Sequence, residues 1–240
     1  RLDTHFAGLR ALGMAIEGGR QFTFRRQQLR GAEVLLDEAS VTATENVMMA
    51  ATLAHGRTTV FNAACEPHVQ DLGLLLNRMG ARIAGLGTNR LEIEGVESLR
   101  GARHAVGPDD IELGSYLAAA AATRGELVVE GLPEPLTLRV LERAFGKLGV
   151  AWTVANGRLT LPARQSLRVR PDLGAVTPKL EDGTWPAFPS DLMSVALVLA
   201  TQARGGLLFF EKLFESRMYF VDRLIEMGAR IVQCDPHRVL

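Results

Sequence analysis

The sequence predicts an α/β fold in which one supersecondary unit is repeated along the chain. Three times a helix of small residues ends at a glycine and leads into an apolar strand. Three times a second helix follows and ends in a Leu-Gly or Met-Gly pair. Twice a turn signal then separates two short strands. Self-similarity of this kind indicates a repeat architecture, and the unit reads strand, helix, strand, helix, strand, strand.

The composition is that of an ordinary globular chain of one or two domains. It has 240 residues, of which 47% are hydrophobic and 22% are charged. Lys+Arg and Asp+Glu are equal at 27 each, so no global field attracts nucleic acid or acidic membranes. No apolar run reaches about 18 residues, the length that suggests a membrane span. We therefore expect neither nucleic acid nor membrane as a partner.

The two cysteines, Cys65 and Cys234, indicate neither a disulfide framework nor a metal site. Free thiols are typical of a reducing compartment, so a cytoplasmic location is expected. A buried structural thiol is the ordinary role of such a cysteine, and we interpret Cys65 in that way.

The first helix of each unit is rich in alanine and lies before a glycine. The three stops are Gly56, Gly125 and Gly205, and strands are predicted over residues 58–61, 126–130 and 207–211. Small side chains allow a helix to lie close to a sheet, which suits a layered α/β domain.

The second helix of each unit ends at Gly80, Gly149 and Gly228, and Gly13 marks the tail of a still earlier copy. The first and third copies share the five residues Met-Gly-Ala-Arg-Ile. Hairpin turns are predicted at residues 85–89 and at Asn156-Gly157. The last interval between second-helix glycines is longer, and we assign the extra length to a loop over residues 177–190.

That loop leads to a carboxylate, Asp191. Pro186 and Pro189 restrict the backbone ahead of it, and Ser190 or Asp191 stands where a helix N-cap belongs. A buried helix is predicted over residues 192–203 because nearly all of them are apolar. Asp191 is therefore either a cap alone or a functional carboxylate held by a stiff loop.

A second helix start lies near Ser40, Val41 and Thr42. Thr42 followed by Glu45 predicts a capping box. Free amides at a helix N-terminus also bind anions. The residues alone favour the interpretation that Glu45 satisfies this helix end.

Several blocks in fixed order resemble the UDP-N-acetylglucosamine enolpyruvyl transferase family. The blocks are Asp3-Thr4-His5, Ser40-Val41-Thr42-Ala43-Thr44-Glu45-Asn46, Glu66-Pro67, Pro186-Ala187-Phe188-Pro189-Ser190-Asp191 and Phe214-Glu215 with Arg217. The resemblance implies a two-lobed fold, an inside-out α/β barrel of repeated βαβαββ units, with the active site between the lobes. It also implies an incomplete copy of that fold. Residues 1–107 would be the C-terminal part of the catalytic, uridine-binding lobe, and residues 108–240 the first part of the second lobe.

The resemblance also implies an activity. Members of the family transfer the enolpyruvyl group of phosphoenolpyruvate to the 3′-hydroxyl of UDP-N-acetylglucosamine and release phosphate. This is the first committed step of peptidoglycan synthesis, and it uses no metal or organic cofactor. Asp191 matches the carboxylate taken as the general base.

The remaining site residues follow from the same matches. Arg1, Leu2, Asp3 and Thr4 match the segment that binds the uracil. Ser40, Val41 and Thr42 match the loop that holds the diphosphate. Leu213 matches a backbone contact to the substrate amide region, Arg217 belongs to the same loop, and Glu66 matches a carboxylate in the cleft. His5 is interpreted as structural.

The chain departs from the family at four cleft positions. His68, Asp110, Leu113 and Ser216 replace the usual Glu, Arg, Thr and Asn, so the charge pattern of the cleft is expected to differ from that of the family. The family nucleophile, a Cys or an Asp, would lie upstream of Arg1, and residues that hold phosphoenolpyruvate are missing. We therefore expect the 240 residues alone to be inactive.

Two other functions are considered. The shikimate-pathway enolpyruvyl transferase shares the fold but has no uridine segment, so the Asp3 and Ser40 blocks argue against it. A non-catalytic paralogue that only holds a UDP-sugar is compatible with the four departures.

Overall fold

The structure is a computed structural model that describes residues 2–25 and 28–240. The chain separates into two compact units that divide between Gly107 and Pro108. Arg1, one of the predicted uracil-binding residues, lies outside the described residues. Among the residues that are described, no helix is both long and apolar enough to cross a membrane.

The first unit begins with a helix and a hairpin. Helix α1 spans Asp3–Ala11, and strands β1 (Ala15–Gly18) and β2 (Phe22–Arg25) pair antiparallel. Helix α1 packs closely on the next helix at Gly8, because a Cβ there would lie 2.4 Å from the Val47 side chain. Only glycine fits at this crossing.

The rest of the first unit is one complete repeat. Its elements are β3 (Glu33–Leu35), α2 (Val41–Ala51), β4 (Arg57–Phe61), α3 (Pro67–Arg78), β5 (Arg82–Ala84) and β6 (Arg90–Glu94). The sheet order is β3-β4-β6-β5, in which only β3 and β4 are parallel. The predicted order of helices and strands is confirmed in this copy.

The core of the first unit lies between its sheet and helices α2 and α3. Val47 and Met48 of α2 are fully buried and belong to the same cluster as Val60 of β4 and Ile93 of β6. The β4 and β6 strands bury alternate residues, which is the pattern of strands with one face on the core.

The second unit begins with a copy that lacks its first strand. Its elements are α4 (Asp110–Ala122), β7 (Leu127–Glu130), α5 (Pro135–Gly146), β8 (Thr153–Ala155) and β9 (Arg158–Leu161), in a sheet of order β7-β9-β8. The segment that would supply the strand is tied to the first unit instead. The Arg100 amide donates to the Met79 carbonyl, and His104 Nε2 lies 2.9 Å from Asp71 Oδ1.

The last copy again has all six elements. They are β10 (Lys179–Glu181), α6 (Met193–Ala200), β11 (Leu208–Phe210), α7 (Val221–Glu226), β12 (Gln233–Asp235) and β13 (Arg238–Val239). The sheet order β10-β11-β13-β12 repeats that of the first unit, with β10 and β11 parallel. The predicted loop over residues 177–190 was therefore partly wrong, because it contains strand β10. An exposed segment over residues 171–177 precedes that strand.

The glycines that end the second helices share one backbone conformation. Gly13, Gly80, Gly149 and Gly228 have φ of 91°, 105°, 83° and 94°. A residue with positive φ after a helix is a common C-terminal cap, and glycine adopts it without a steric penalty. This recurrence confirms the repeat inferred from the sequence.

The helix predicted over residues 192–203 is shorter than expected. A 3-10 turn over Ser190–Leu192 leads into α6, which ends at Ala200. The amides of Gln202 and Ala203 then bond to carbonyls three residues back. The chain therefore continues past Ala200 in a tighter turn than an α-helix.

Candidate functional site

The loop before Asp191 is anchored in the core of the second unit. Trp185 and Phe188 are buried, and the Phe188 ring meets Phe145 of α5 edge to face with centroids 6.0 Å apart. Leu192 is fully buried against Gly114 of α4, where a Cβ would lie 2.6 Å away. The residues on both sides of Asp191 are thus held by packing, while the Asp191 side chain is exposed.

Asp191 contacts the loop that follows β11. Arg217 Nη1 donates a hydrogen bond to Asp191 Oδ1 at 2.9 Å. The Arg217 guanidinium also lies over the Phe214 ring, 4.5 Å from its centroid. An arginine held by a carboxylate and an aromatic face has a restricted position.

Asp191 is not a helix cap. Leu192 stands at the N-cap of α6 and Pro189 at that of the preceding 3-10 turn, and neither turn has a side-chain capping bond. The interpretation of Asp191 as a cap alone was wrong, because the 3-10 turn moves the start of α6 to Met193. Its carboxylate is directed to Arg217 instead.

Three buried polar side chains lie beneath these two loops. Asp182, Ser190 and Glu211 are all buried. The Ser190 hydroxyl donates to Glu211 Oε1 at 2.8 Å, and the Phe214 amide donates to the same oxygen at 3.2 Å. Asp182 accepts from the amides of Lys212 at 2.5 Å and Leu213 at 3.3 Å.

Burial and the Asp182 carboxyl raise the pKa of Glu211 to about 7. Burial contributes most, since it disfavours the charged form, and the hydrogen bond to Asp182 comes next. The hydrogen bond from Ser190 acts in the opposite direction. Glu211 therefore keeps its proton to a higher pH than an ordinary glutamate does.

In the first unit, the start of α2 is capped by Ser40. Its hydroxyl accepts from the Ala43 amide at 3.3 Å, and its backbone is extended. The predicted capping box at Thr42 and Glu45 was wrong, because the helix begins at Val41, ahead of Thr42. Helix geometry leaves the amides of Val41 and Thr42 without an intrahelical acceptor.

The starts of α1 and α2 are joined through His5. Thr42 Oγ1 lies 3.3 Å from His5 Nε2, and Asn46 Nδ2 lies 2.9 Å from His5 Nδ1. The Asn46 amide is a donor, so Nδ1 accepts and Nε2 carries the proton toward Thr42. One residue before His5, the Thr4 hydroxyl donates to Glu38 Oε1 at 3.4 Å. His5 thus brings Thr42 and the segment of Leu2, Asp3 and Thr4 into one neighbourhood.

Glu66 stands at the N-cap of α3 but makes no side-chain capping bond. Among the described residues, its Oε2 is buried without a hydrogen-bond donor. Burial, and then the neighbouring charge of Glu66, raise the pKa of the Cys65 thiol. A thiol shifted in this direction is a poor nucleophile near neutral pH, which agrees with a structural role for Cys65.

The four departures occupy different surroundings. His68 is exposed at the second position of α3, whereas Asp110 and Leu113 are buried on α4. Ser216 has a φ of 69°. Asparagine is favoured over serine at such a backbone angle, so the usual Asn at this position has a simple physical reason.

The sequence analysis missed the roles of Asp182 and Glu211. The signal was present, because each residue directly follows one of two strands. The strands are parallel with Glu181 opposite Phe210, so the next residue of each strand lies at the same end of the strand pair. Finding the pair required recognition of β10 within the predicted loop.

Comparisons with known proteins agree on one family. The sequence model of EPSP synthase (3-phosphoshikimate 1-carboxyvinyltransferase) matches residues 2–237. Two curated relatives named UDP-N-acetylglucosamine 1-carboxyvinyltransferase, from Treponema denticola and Treponema pallidum, are 53% and 54% identical over the whole chain. The chain spans 56% of the length of each.

Solved structures show the same fold. The enolpyruvyl transferase NikO from Streptomyces tendae superposes with a TM-score of 0.83 at 20% identity, over 100% of this chain and 58% of that one. EPSP synthase from Acinetobacter baumannii superposes with a TM-score of 0.63 at 17% identity, over 99% of this chain and 56% of that one. The chain therefore belongs to the EPSP synthase family of enolpyruvyl transferases.

Proposed function

We propose that the whole protein transfers the enolpyruvyl group of phosphoenolpyruvate to the 3′-hydroxyl of UDP-N-acetylglucosamine and releases phosphate, as the first committed step of peptidoglycan synthesis in the cytoplasm. The names of relatives at 53% and 54% identity support this acceptor. In this proposal residues 1–107 belong to the uridine-binding lobe and residues 108–240 to the lobe with the general base.

The observation that carries the proposal is the position of Asp191. Its carboxylate is exposed on a loop whose neighbouring side chains are buried, and its partner is Arg217 rather than a helix end. A general base must reach the proton that it removes and must stay aligned. Asp191 would accept the proton of the 3′-hydroxyl as that oxygen adds to C2 of phosphoenolpyruvate and C3 takes up a proton. Loss of phosphate from C2 and of a proton from C3 would then restore the double bond.

The loop after β11 would orient both catalyst and substrate. Arg217 holds Asp191 Oδ1, so Oδ2 would be the oxygen that accepts from the substrate hydroxyl. The Leu213 amide donates to Asp182, so its carbonyl would be the backbone group that accepts from the substrate amide N–H. Leu213 itself is exposed.

The first unit would bind the nucleotide. The amides of Val41 and Thr42 at the start of α2 suit the diphosphate, since helix N-termini attract anions. The segment of Arg1, Leu2, Asp3 and Thr4 would hold the uracil. The buried Glu66 oxygen lacks a donor among the described residues, so a hydroxyl of the substrate would satisfy it.

The acceptor is tested by phosphate release from the full-length protein with phosphoenolpyruvate and one of two acceptors. Release with UDP-N-acetylglucosamine and none with shikimate 3-phosphate is expected. Release only with shikimate 3-phosphate would favour the activity of a 3-phosphoshikimate 1-carboxyvinyltransferase instead. Tight binding of the UDP-sugar without any release would identify a non-catalytic paralogue.

A further inference from the structure

The buried carboxyl pair of Asp182 and Glu211 has a defined origin in the sheet. Strands β10 and β11 run parallel, and Glu181 opposite Phe210 is their last paired position. Asp182 and Glu211 are the next residues of the two strands, and the Asp182 amide still bonds to the Phe210 carbonyl at 3.4 Å. Neighbouring strands are about 4.8 Å apart, so the two side chains emerge together.

One of the two carboxyl groups is expected to hold a proton, because two buried carboxylates side by side disfavour each other's ionised form. Among the described residues, Glu211 Oε2 is buried without a hydrogen-bond donor. Burial and the neighbouring Asp182 carboxyl raise the pKa of Glu211 to about 7. A proton on Glu211 would change a buried oxygen without a donor into a donor itself.

The fold does not require this pair. In the complete repeat of the first unit, β3 and β4 are parallel with Leu35 opposite Phe61. The next residues, which correspond to Asp182 and Glu211, are Leu36 and Asn62, and Asn62 Nδ2 donates to the Leu36 carbonyl at 3.0 Å. The corresponding strand ends in the first unit therefore carry no carboxylate.

The pair instead contacts both loops that meet at Asp191. Glu211 Oε1 accepts from Ser190, the residue before Asp191, and from the Phe214 amide. Asp182 accepts from the amides of Lys212 and Leu213. The same second loop carries Arg217, which bonds to Asp191. Every side-chain hydrogen bond described for the pair thus holds a residue that is within a few positions of Asp191 or Arg217.

We propose that Asp182 and Glu211 are positioning residues that hold the Asp191 carboxylate and the Arg217 loop in alignment for the transfer reaction. The inference rests on the proposed function, since it assigns a role toward the general base of that reaction. Neither residue needs to touch the substrate. A displacement of about 1 Å at a catalytic group is enough to lower the rate about a hundredfold.

The test compares three variants of the full-length protein by phosphate release. Glu211→Ala removes both acceptor and proton and is expected to lower kcat about tenfold to a hundredfold, with KM for UDP-N-acetylglucosamine within about threefold. Glu211→Gln keeps an acceptor for Ser190 and a donor for Asp182, so kcat should stay within about threefold of the unsubstituted protein. Glu181→Gln, one residue before Asp182, is the matched control and should leave kcat unchanged.

A double variant separates positioning from general damage to the structure. In a protein that already carries Asp191→Ala, adding Glu211→Ala should lower the residual rate less than about twofold, because there is no carboxylate left to position. An equal loss with and without Asp191 would overturn the proposal. Ser190→Ala removes a single contact and provides a milder variant if Glu211→Ala does not fold. It should lower kcat severalfold, and an unchanged kcat would count against the proposal.

Amide hydrogen exchange tests the same proposal without any reaction. Glu211→Ala should accelerate exchange at the Leu213 and Phe214 amides about tenfold or more, and Glu181→Gln should not. Unchanged exchange would overturn the positioning role. If the unsubstituted protein releases no phosphate while exchange responds as expected, the proposed function fails and the structural part of the inference holds.

Discussion

Arg217 donates from Nη1 to Asp191 Oδ1 at 2.9 Å and at the same time lies over the ring of Phe214. The two contacts join a loop that precedes a buried helix to a loop that follows a strand. Both loops continue into the same buried polar cluster of Asp182, Ser190 and Glu211. The exposed carboxylate is thus connected to the core through hydrogen bonds as well as through packing.

Replacing Arg217 by Lys is expected to lower kcat about tenfold in the full-length protein. Lysine keeps the charge but loses the planar guanidinium that contacts both carboxylate and ring. Steady-state phosphate release provides the measurement. Arg223→Lys on α7 is the control, since Arg223 pairs only with exposed Glu226 among the described residues. Equal kcat values for the two variants would show that Arg217 does not orient Asp191.

Helix α2 provides a test of the corrected cap. Ser40→Ala should lower the free energy of unfolding by about 1 kcal/mol, because the Ala43 amide loses its acceptor. Thr42→Ala should cost less, since Thr42 bonds to His5 rather than to the helix end. Denaturant titration of both variants gives the comparison. A larger loss of unfolding free energy for Thr42→Ala than for Ser40→Ala would instead support the capping box at Thr42 and Glu45.

Asparagine is expected to fit the backbone angle at position 216 better than the native serine does. The φ of 69° lies in the left-handed region, which asparagine adopts more readily. Ser216→Asn should raise the free energy of unfolding by up to about 1 kcal/mol. Thermal unfolding measures the change. Ser115→Asn, placed inside α4 where φ is helical, should instead lower stability, and a gain there would refute the backbone argument.

Stability should depend on pH through Glu211. Its pKa rises from 4.5 to about 7 on folding, so the folded protein keeps a proton that the unfolded chain releases. The stabilisation is complete below about pH 4.5 and is lost as the pH rises through about 7. Glu211→Gln should remove this contribution, and melting temperatures of both proteins from pH 5 to pH 8 should show it. Parallel curves would mean that Glu211 is ionised throughout.

Much of the fold was predictable because short stretches of sequence mark the helix ends and turns of each repeat. Gly80, Gly149 and Gly228 adopt the same left-handed conformation, and Asn156-Gly157 has positive φ at both residues, as a two-residue hairpin turn of this type requires. Each of these features depends on a few adjacent residues. Sequence alone is sufficient for such features.

The contacts of the candidate site were less predictable because they join residues far apart in the chain. Asp191 looked like a cap until the 3-10 turn moved the start of α6. Glu211 looked like the end of a strand, and its burial became apparent only when β10 placed Asp182 beside it. The family resemblance implied Asp191 and Arg217 as site residues, but it did not imply the buried pair of Asp182 and Glu211.

Replacing Asp191 by Ala in the full-length protein, with both kcat and the dissociation constant for UDP-N-acetylglucosamine measured, tests the proposed chemistry most directly. A general base contributes about 10²- to 10⁴-fold to rate, so kcat should fall by that factor while calorimetry shows a dissociation constant within about threefold of the original. Asp222→Ala, at an exposed position on α7, should change neither quantity. A fall in kcat of less than about tenfold for Asp191→Ala would contradict the role of Asp191 as general base.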